Sequence, residues 1–263
     1  MRSMLPLLLP TATMDMGCVL SFCFAIAIVL CSLPPVESKV AIRIMPMGDS
    51  ITEWQCNEES QGGYRNYLGN ALQGKISFDF VGSQYGCGNH EGHSGWTIAQ
   101  LQGIAADVLS THTPDVVLIQ AGTNDLFFNQ PGFSQGADVQ GSLSRMILLL
   151  NTTFTVLPHA KVFLSGVTYI NATRCANYSQ APWHPPNCPT GMEEWIKELN
   201  SMLPTVASNF SSRGFFISFH DPNADCQFID ADYWTWGIHF SESGFKKIAS
   251  SWLRALGALW TAD

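Results

Sequence analysis

Charge is what this sequence has least of. Only 13% of its 263 residues are Asp, Glu, Lys or Arg, about half the ~25% usual in soluble domains. A coiled coil or a long solvated helix needs dense charge on its outer faces, so both are excluded. Basic residues are the scarcer kind: 13 Lys plus Arg stand against 21 Asp plus Glu, a net charge of −8. A surface of that sign repels a phosphate backbone, and nucleic-acid binding is not expected. The 22 glycines and 14 prolines follow no period, which excludes collagen. No Cys/His pair has zinc-finger spacing, so no metal or other cofactor is expected.

What is present is apolar side chain, 46% of the residues, too much for a disordered chain to leave in water. Residues 18–33, CVLSFCFAIAIVLCSL, run sixteen positions without a charge. That is long for the apolar part of a signal peptide and short for a ~20-residue membrane helix. Pro34 and Pro35 follow, then Val36-Glu37-Ser38 before Lys39. The pattern reads as a cleaved secretory signal over 1–38, with the functional domain over 39–263. The competing reading is an uncleaved anchor, because Arg2 is the only basic residue ahead of the run; membrane contact is expected only in that case. Four Asn-x-Ser/Thr triplets, at Asn151, Asn171, Asn177 and Asn209, agree with an extracellular glycoprotein. The domain is expected to act as a monomer.

Loss of residues 1–38 would remove Cys18, Cys23 and Cys31 and leave Cys56, Cys87, Cys175, Cys188 and Cys226. An odd count leaves at least one thiol unpaired or intermolecular. Cys175 and Cys188 flank a proline-rich loop and could close a short ring. Cys56 and Cys87 lie in loops that could converge.

Through the rest of the chain short β-type runs alternate with longer helix-type runs. Strands are expected at 40–45, 77–82, 114–122, 160–168 and 215–220, and helices at 64–72, 98–109, 139–155, 192–208 and 241–259. The run 114–122, PDVVLIQAG, is continuously apolar, as suits a strand buried on both faces. In the last helix Phe245, Ile248, Trp252, Leu253, Leu256 and Leu259 keep helical spacing. Alternation of this kind implies βαβ units, a parallel sheet and helices on both faces, a three-layer α/β/α sandwich. Chemistry in such folds gathers at the carboxyl ends of the strands. Residues 171–191 form a long irregular insertion after the fourth strand, the kind of segment that often rims a site.

Four segments fall at those ends or at the start of the last helix. Gly48-Asp49-Ser50 follows the first strand, where a serine hydroxyl can face the cleft and its N–H lies near a helix N-terminus; the plain alternative is that Asp49 or Ser50 only caps a helix. His90-Glu91-Gly92-His93-Ser94-Gly95-Trp96 follows the second, and Gly95 can present an N–H without side-chain obstruction. The two histidines invite a metal reading, but no carboxylate or cysteine constellation accompanies them. Gly122-Thr123-Asn124-Asp125 follows the third strand; Asn124 can donate to an oxyanion, or serve as turn residue. His239 precedes the last helix and can take the Ser50 proton, or be a partly buried structural histidine.

In that order and placement the four segments resemble the blocks of the SGNH (GDSL-type) hydrolase superfamily over nearly all of residues 40–260. The resemblance implies a flavodoxin-like sandwich with five parallel strands, Ser50 as nucleophile and His239 as base. It also implies an oxyanion hole from the Ser50 N–H, the Gly95 N–H and the Asn124 side chain. The flanking stretches IMPMGDSITE, GGYRNYL, FDFVGSQ and HEGHSGWTI look like carbohydrate esterase family three, whose known members deacetylate xylan. Arg65 and Trp96 belong to this likeness; read without it, they are a surface ion pair and a packed aromatic.

One block breaks the pattern. The superfamily usually has Asp three residues before the histidine, where this chain has Trp236. Asp232 could reach His239 through a reshaped loop, with Asp230 a poorer candidate. The Trp236 carbonyl could accept the Nδ1 proton instead, or the enzyme is weakened. The expected function is a secreted serine esterase acting on acetyl groups of a carbohydrate such as xylan. The alternatives are a lipid esterase of the lysophospholipase or thioesterase kind and a weakly active or inactive glycan-binding relative.

Overall fold

In a computed structural model the described residues are 40–57, 61–127, 138–177 and 191–259. All lie in one unit, Val40–Asp263. The 1–38 segment, Cys188 and the middle of the 171–191 insertion lie outside the described residues.

Six strands, β1 (Ile42–Gly48), β2 (Phe78–Phe80), β3 (Glu91–Gly92), β4 (Val116–Gln120), β5 (Lys161–Ser165) and β6 (Ile217–His220), form one sheet. Its order is β2-β1-β4-β5-β6, with β3 also paired to β1, and every pairing is parallel. The chain therefore winds outward in both directions from β1, the doubly wound order whose switch point lies between β1 and β4.

The first strand runs past the point where proline was expected to end it. Pro46 lies inside β1, opposite Leu118. β2 pairs with Ile42, Arg43 and Ile44, and β3 with Met47 and Gly48. The residue without an N–H thus sits where β1 changes neighbours, a place where a missing donor costs little. β3, only two residues long, is too short to announce itself in the sequence.

The helices are α1 (Ser50–Glu53), α2 (Gly63–Leu72), α3 (Ile98–His112), α4 (Thr123–Phe127), α5 (Val139–Val156), α6 (Ala172–Asn177), α7 (Met192–Ser212), α8 (Pro222–Cys226) and α9 (Glu242–Leu256), with 3-10 turns at Asp230–Asp232 and Gly257–Leu259. The long ones match the expected helices to within a few residues at each end. Asp138 begins α5 by accepting from Gly141 N at 2.7 Å, and Thr97 with Gln100 forms a capping box on α3.

Strand alternation sends neighbouring side chains to opposite faces. Met45, Met47, Val117, Ile119, Val162 and Leu164 pack with α3, α5 and α7 in one core. Ile44, Val116, Leu118 and Phe163 pack with α2 and α9 in the other. Trp252 on α9 is fully buried there, its indole N–H donating to Gln120 Oε1 at 3.3 Å. These two cores are the physical content of the three layers expected from the apolar rhythm.

Candidate active site

The carboxyl edge of the sheet holds the site. β1 ends at Gly48, which lies so close to β4 that an added Cβ would collide with the Gln120 carbonyl and Thr52 Oγ1. Asp49 then caps α1: its Oδ1 accepts from Ile51 N at 3.0 Å, and its carbonyl from Thr52 and Glu53. Ser50 is the first residue of that helix, where an amide has no intrahelical partner. The capping and functional readings of this segment therefore coexist, on adjacent residues.

Ser50 Oγ lies 2.8 Å from His239 Nε2, across 189 residues of chain. His239 is carried in the loop before α9. Its carbonyl accepts from Trp234 N at 2.9 Å, and Gly237 N closes a turn on the Trp234 carbonyl at 2.9 Å. The imidazole packs on the Trp54 ring at a centroid distance of 4.9 Å and meets the Trp236 ring edge-on at 5.9 Å. The glycine turn and two indoles hold the half-buried ring.

Asp232 is not brought to His239. Its carboxylate accepts from Lys247 Nζ at 2.5 Å, Ser243 Oγ at 2.8 Å and Ile229 N at 2.8 Å. The reason is local. The 3-10 turn Asp230–Asp232 points this side chain at the first turns of α9, where the charge of Lys247 and hydrogen bonds from Lys247, Ile229 N and Ser243 hold it below the usual carboxylate range against the opposing effect of burial. Asp230 binds Arg174 and Asn171. The carboxylate expected as third catalytic member thus stabilises the loop that bears His239 rather than the imidazole itself.

The other two segments are tied together. Asn124 Nδ2 donates to the Trp96 carbonyl at 2.8 Å, and Asp125 Oδ2 accepts from Ile98 N at 2.8 Å. These bonds clamp the Gly95–Trp96 turn to α4. Gly95 has a φ of +76° and open space where a Cβ would be. Arg145 Nε supports Asp125 at 2.8 Å. Neither Gly95 nor Asn124 lines the cavity beside Ser50, but Ser94 does.

The two histidines of the second segment have separate partners. His90 Nδ1 accepts from Gly92 N at 3.1 Å, and burial pushes its pKa down to about 3. His93 Nε2 lies 2.6 Å from Glu91 Oε1, and its ring stacks on Trp96 at 3.9 Å. Glu91 also accepts from Ser83 N and Oγ. Sequence reading passed over Glu91; its only signal was an acid set between two histidines.

Arg65 corrects its surface reading. It is 1% exposed and donates to six backbone carbonyls, those of Thr52, Glu53, Trp54, Gly86, Cys87 and Gly88. It thereby joins the end of α1 to the loop before β3, and the Cys56–Cys87 disulfide closes the same junction. Cys175 is disulfide-bonded, its expected partner being outside the described residues, and Cys226 is a free thiol.

A cavity of about 290 Å³ opens over the pair. It is lined by Ser50, Glu53, Trp54, Gln55, Ser94, Trp234, Trp236 and His239. A hydroxyl against an imidazole, beside a free helical amide and under indole walls, can carry out acyl transfer on a small ester.

Known proteins place the chain. The model of the GDSL-like Lipase/Acylhydrolase family matches residues 47–247. A multidomain esterase of Ruminococcus flavefaciens is 28% identical over 253 residues, 84% of this chain; the chain spans only 29% of that protein. A solved family 3 carbohydrate esterase of Clostridium thermocellum is 32% identical with a TM-score of 0.64, over 84% of this chain and 98% of that one. A carbohydrate esterase family 3 structure from Talaromyces cellulolyticus, 21% identical over 83% of this chain and 97% of that one with a TM-score of 0.65, shares the fold.

Proposed function

Since the chain belongs to the GDSL-like lipase/acylhydrolase family and is a carboxylic ester hydrolase, we propose that it is a secreted serine esterase that removes small acyl groups, acetyl foremost, from a polysaccharide such as xylan. The observation that carries this reading is the 2.8 Å pairing of Ser50 Oγ with His239 Nε2 at the mouth of a tryptophan-lined cavity.

Ser50 O–H donates to neutral His239 Nε2. As Oγ attacks the acyl carbonyl, the proton passes to Nε2 and the carbonyl oxygen becomes an anion. The Ser50 N–H, the Gly95 N–H and the second hydrogen of Asn124 Nδ2 receive that anion. The intermediate collapses when His239 returns the proton to the sugar oxygen, which leaves as an alcohol. Water then repeats the sequence on the acyl-enzyme and releases the acid. Orientation of His239 falls to Trp54, Trp236 and the Gly237 turn, with Asp232 acting from behind the loop.

The cavity supports a small acyl group, and the indoles of Trp54 and Trp234, 5.2 Å apart, offer apolar faces to a sugar ring. The charge-free run at 18–33 and the glycosylation triplets support secretion. The test is hydrolysis of p-nitrophenyl acetate against the octanoate, followed by acetate release from acetylated xylan. Preference for octanoate rejects the deacetylase reading. Failure of a fluorophosphonate to label Ser50 rejects the serine mechanism.

A further inference from the structure

Ser50 and Glu53 open and close the four-residue helix α1, so they stand three residues apart. That spacing puts two side chains on one helical face, with Cβ atoms roughly 5–6 Å apart. Both residues line the cavity. Among the described residues that line it, only Glu53 carries an acidic or permanently charged side chain; His239 must be neutral to act as base. The main chain of Glu53 is engaged, its N–H with the Asp49 carbonyl and its carbonyl with Arg65. Its side chain has no hydrogen-bond or ion-pair partner among the described residues.

Among the described residues no cation cancels it inside the cavity. Arg65 senses the charge of Glu53, but it is buried, turns its donors to backbone carbonyls and does not line the cavity. Lys246 and Lys247 face Glu242 and Asp232. The segments 58–60, 128–137 and 178–190 contain no lysine or arginine at all.

We propose that Glu53 is a specificity-determining residue that makes the site discriminate against anionic esters. The inference rests on the serine-esterase reading and narrows its substrate class: the acyl group must sit on a neutral or cationic alcohol, so acetylated uronate units and phosphate-bearing lipids are poor substrates. A negative group bound in the cavity would lie within several ångströms of the Glu53 carboxylate. At an effective dielectric between that of a protein surface (~20) and bulk water (~80), as in a cavity open to solvent, that repulsion changes the rate on the order of tenfold.

The test compares 4-acetoxybenzoate with its methyl ester, which share the acetyl group and the aromatic ring and differ in one charge. For the full-length protein, kcat/KM is measured on both esters in wild type, Glu53→Gln and Glu53→Lys. The ratio of neutral to anionic turnover should fall on the order of tenfold in Glu53→Gln, further in Glu53→Lys, and mainly through KM. In wild type it should also fall as salt is raised to about 1 M, where the screening length is ~3 Å. An equal ratio in wild type and both variants, or a wild-type ratio indifferent to salt, overturns the proposal. Should neither ester nor p-nitrophenyl acetate be hydrolysed by the wild type, it is the esterase reading that fails.

Discussion

Asp232 is bonded to Lys247, 2.5 Å away and fifteen residues further along the chain. This pair sits behind the loop that presents His239 to Ser50. Asp232→Asn should therefore act on stability before chemistry. Loss of the carboxylate leaves Lys247 facing an amide, at a cost of about 1–3 kcal/mol. A true triad acid costs about 10⁴ in turnover when changed to its amide. The expected result is a lowered melting temperature with kcat within about tenfold of wild type, measured on p-nitrophenyl acetate. A fall near 10⁴ would return Asp232 to the catalytic set.

Ser50→Ala and His239→Ala remove the two ends of the 2.8 Å contact. Each alone should lower kcat by about 10⁴-fold or more, and the double variant should be little worse, because the two groups act as one unit. Additive losses in the double variant would mean that they act independently.

Asp49 gives an unusual pH dependence. Burial, with the nearby Asp125 charge, pushes its carboxyl up to about 6 from 3.8. A carboxyl raised on folding is a stability loss wherever it ionises: full above about pH 6, and absent below about pH 4. At 1.36 kcal/mol per unit the loss is on the order of 3 kcal/mol. Asp49→Asn keeps a cap acceptor for Ile51 and removes the charge. Its melting temperature should exceed that of wild type at pH 8, and the gap should close as the pH falls through 6 towards 4. A gap independent of pH would show that folding does not raise the Asp49 pKa.

The Cys56–Cys87 bridge closes a loop with a separation of 31 residues. In the chain-entropy account that is worth about 3–4 kcal/mol. Paired Cys56→Ser and Cys87→Ser changes should lower the denaturation midpoint accordingly. They should also raise KM, since Trp54 and Gln55 adjoin Cys56 on the cavity wall.

The sheet and its two helical layers were legible because they depend on repeated patterns. Residues 114–122 could hardly be anything but a buried strand, and the spacing of Phe245, Ile248, Trp252 and Leu256 could only suit one helix face. The pairing of Ser50 with His239 was foreshadowed by a serine after the first strand and a histidine before the last helix. What escaped was set by single long-range contacts. β3 is defined by pairing with Met47 and Gly48, not by its own two residues. Arg65 looks like any surface cation until the loops fold over it. The direction of Asp232 was decided by Lys247 and Ser243, and no spacing rule tells which of two neighbours a carboxylate will face.

Arg65 grips main-chain oxygens and no side chains. Every amino acid offers the same carbonyl, so this anchor is indifferent to which residues occupy the loops it fastens. Trp54 and the residues next to it can be exchanged while the path of the backbone persists. The rim of this cavity is thus open to redesign for other alcohols, by evolution or by hand, with the position of Ser50 left in place.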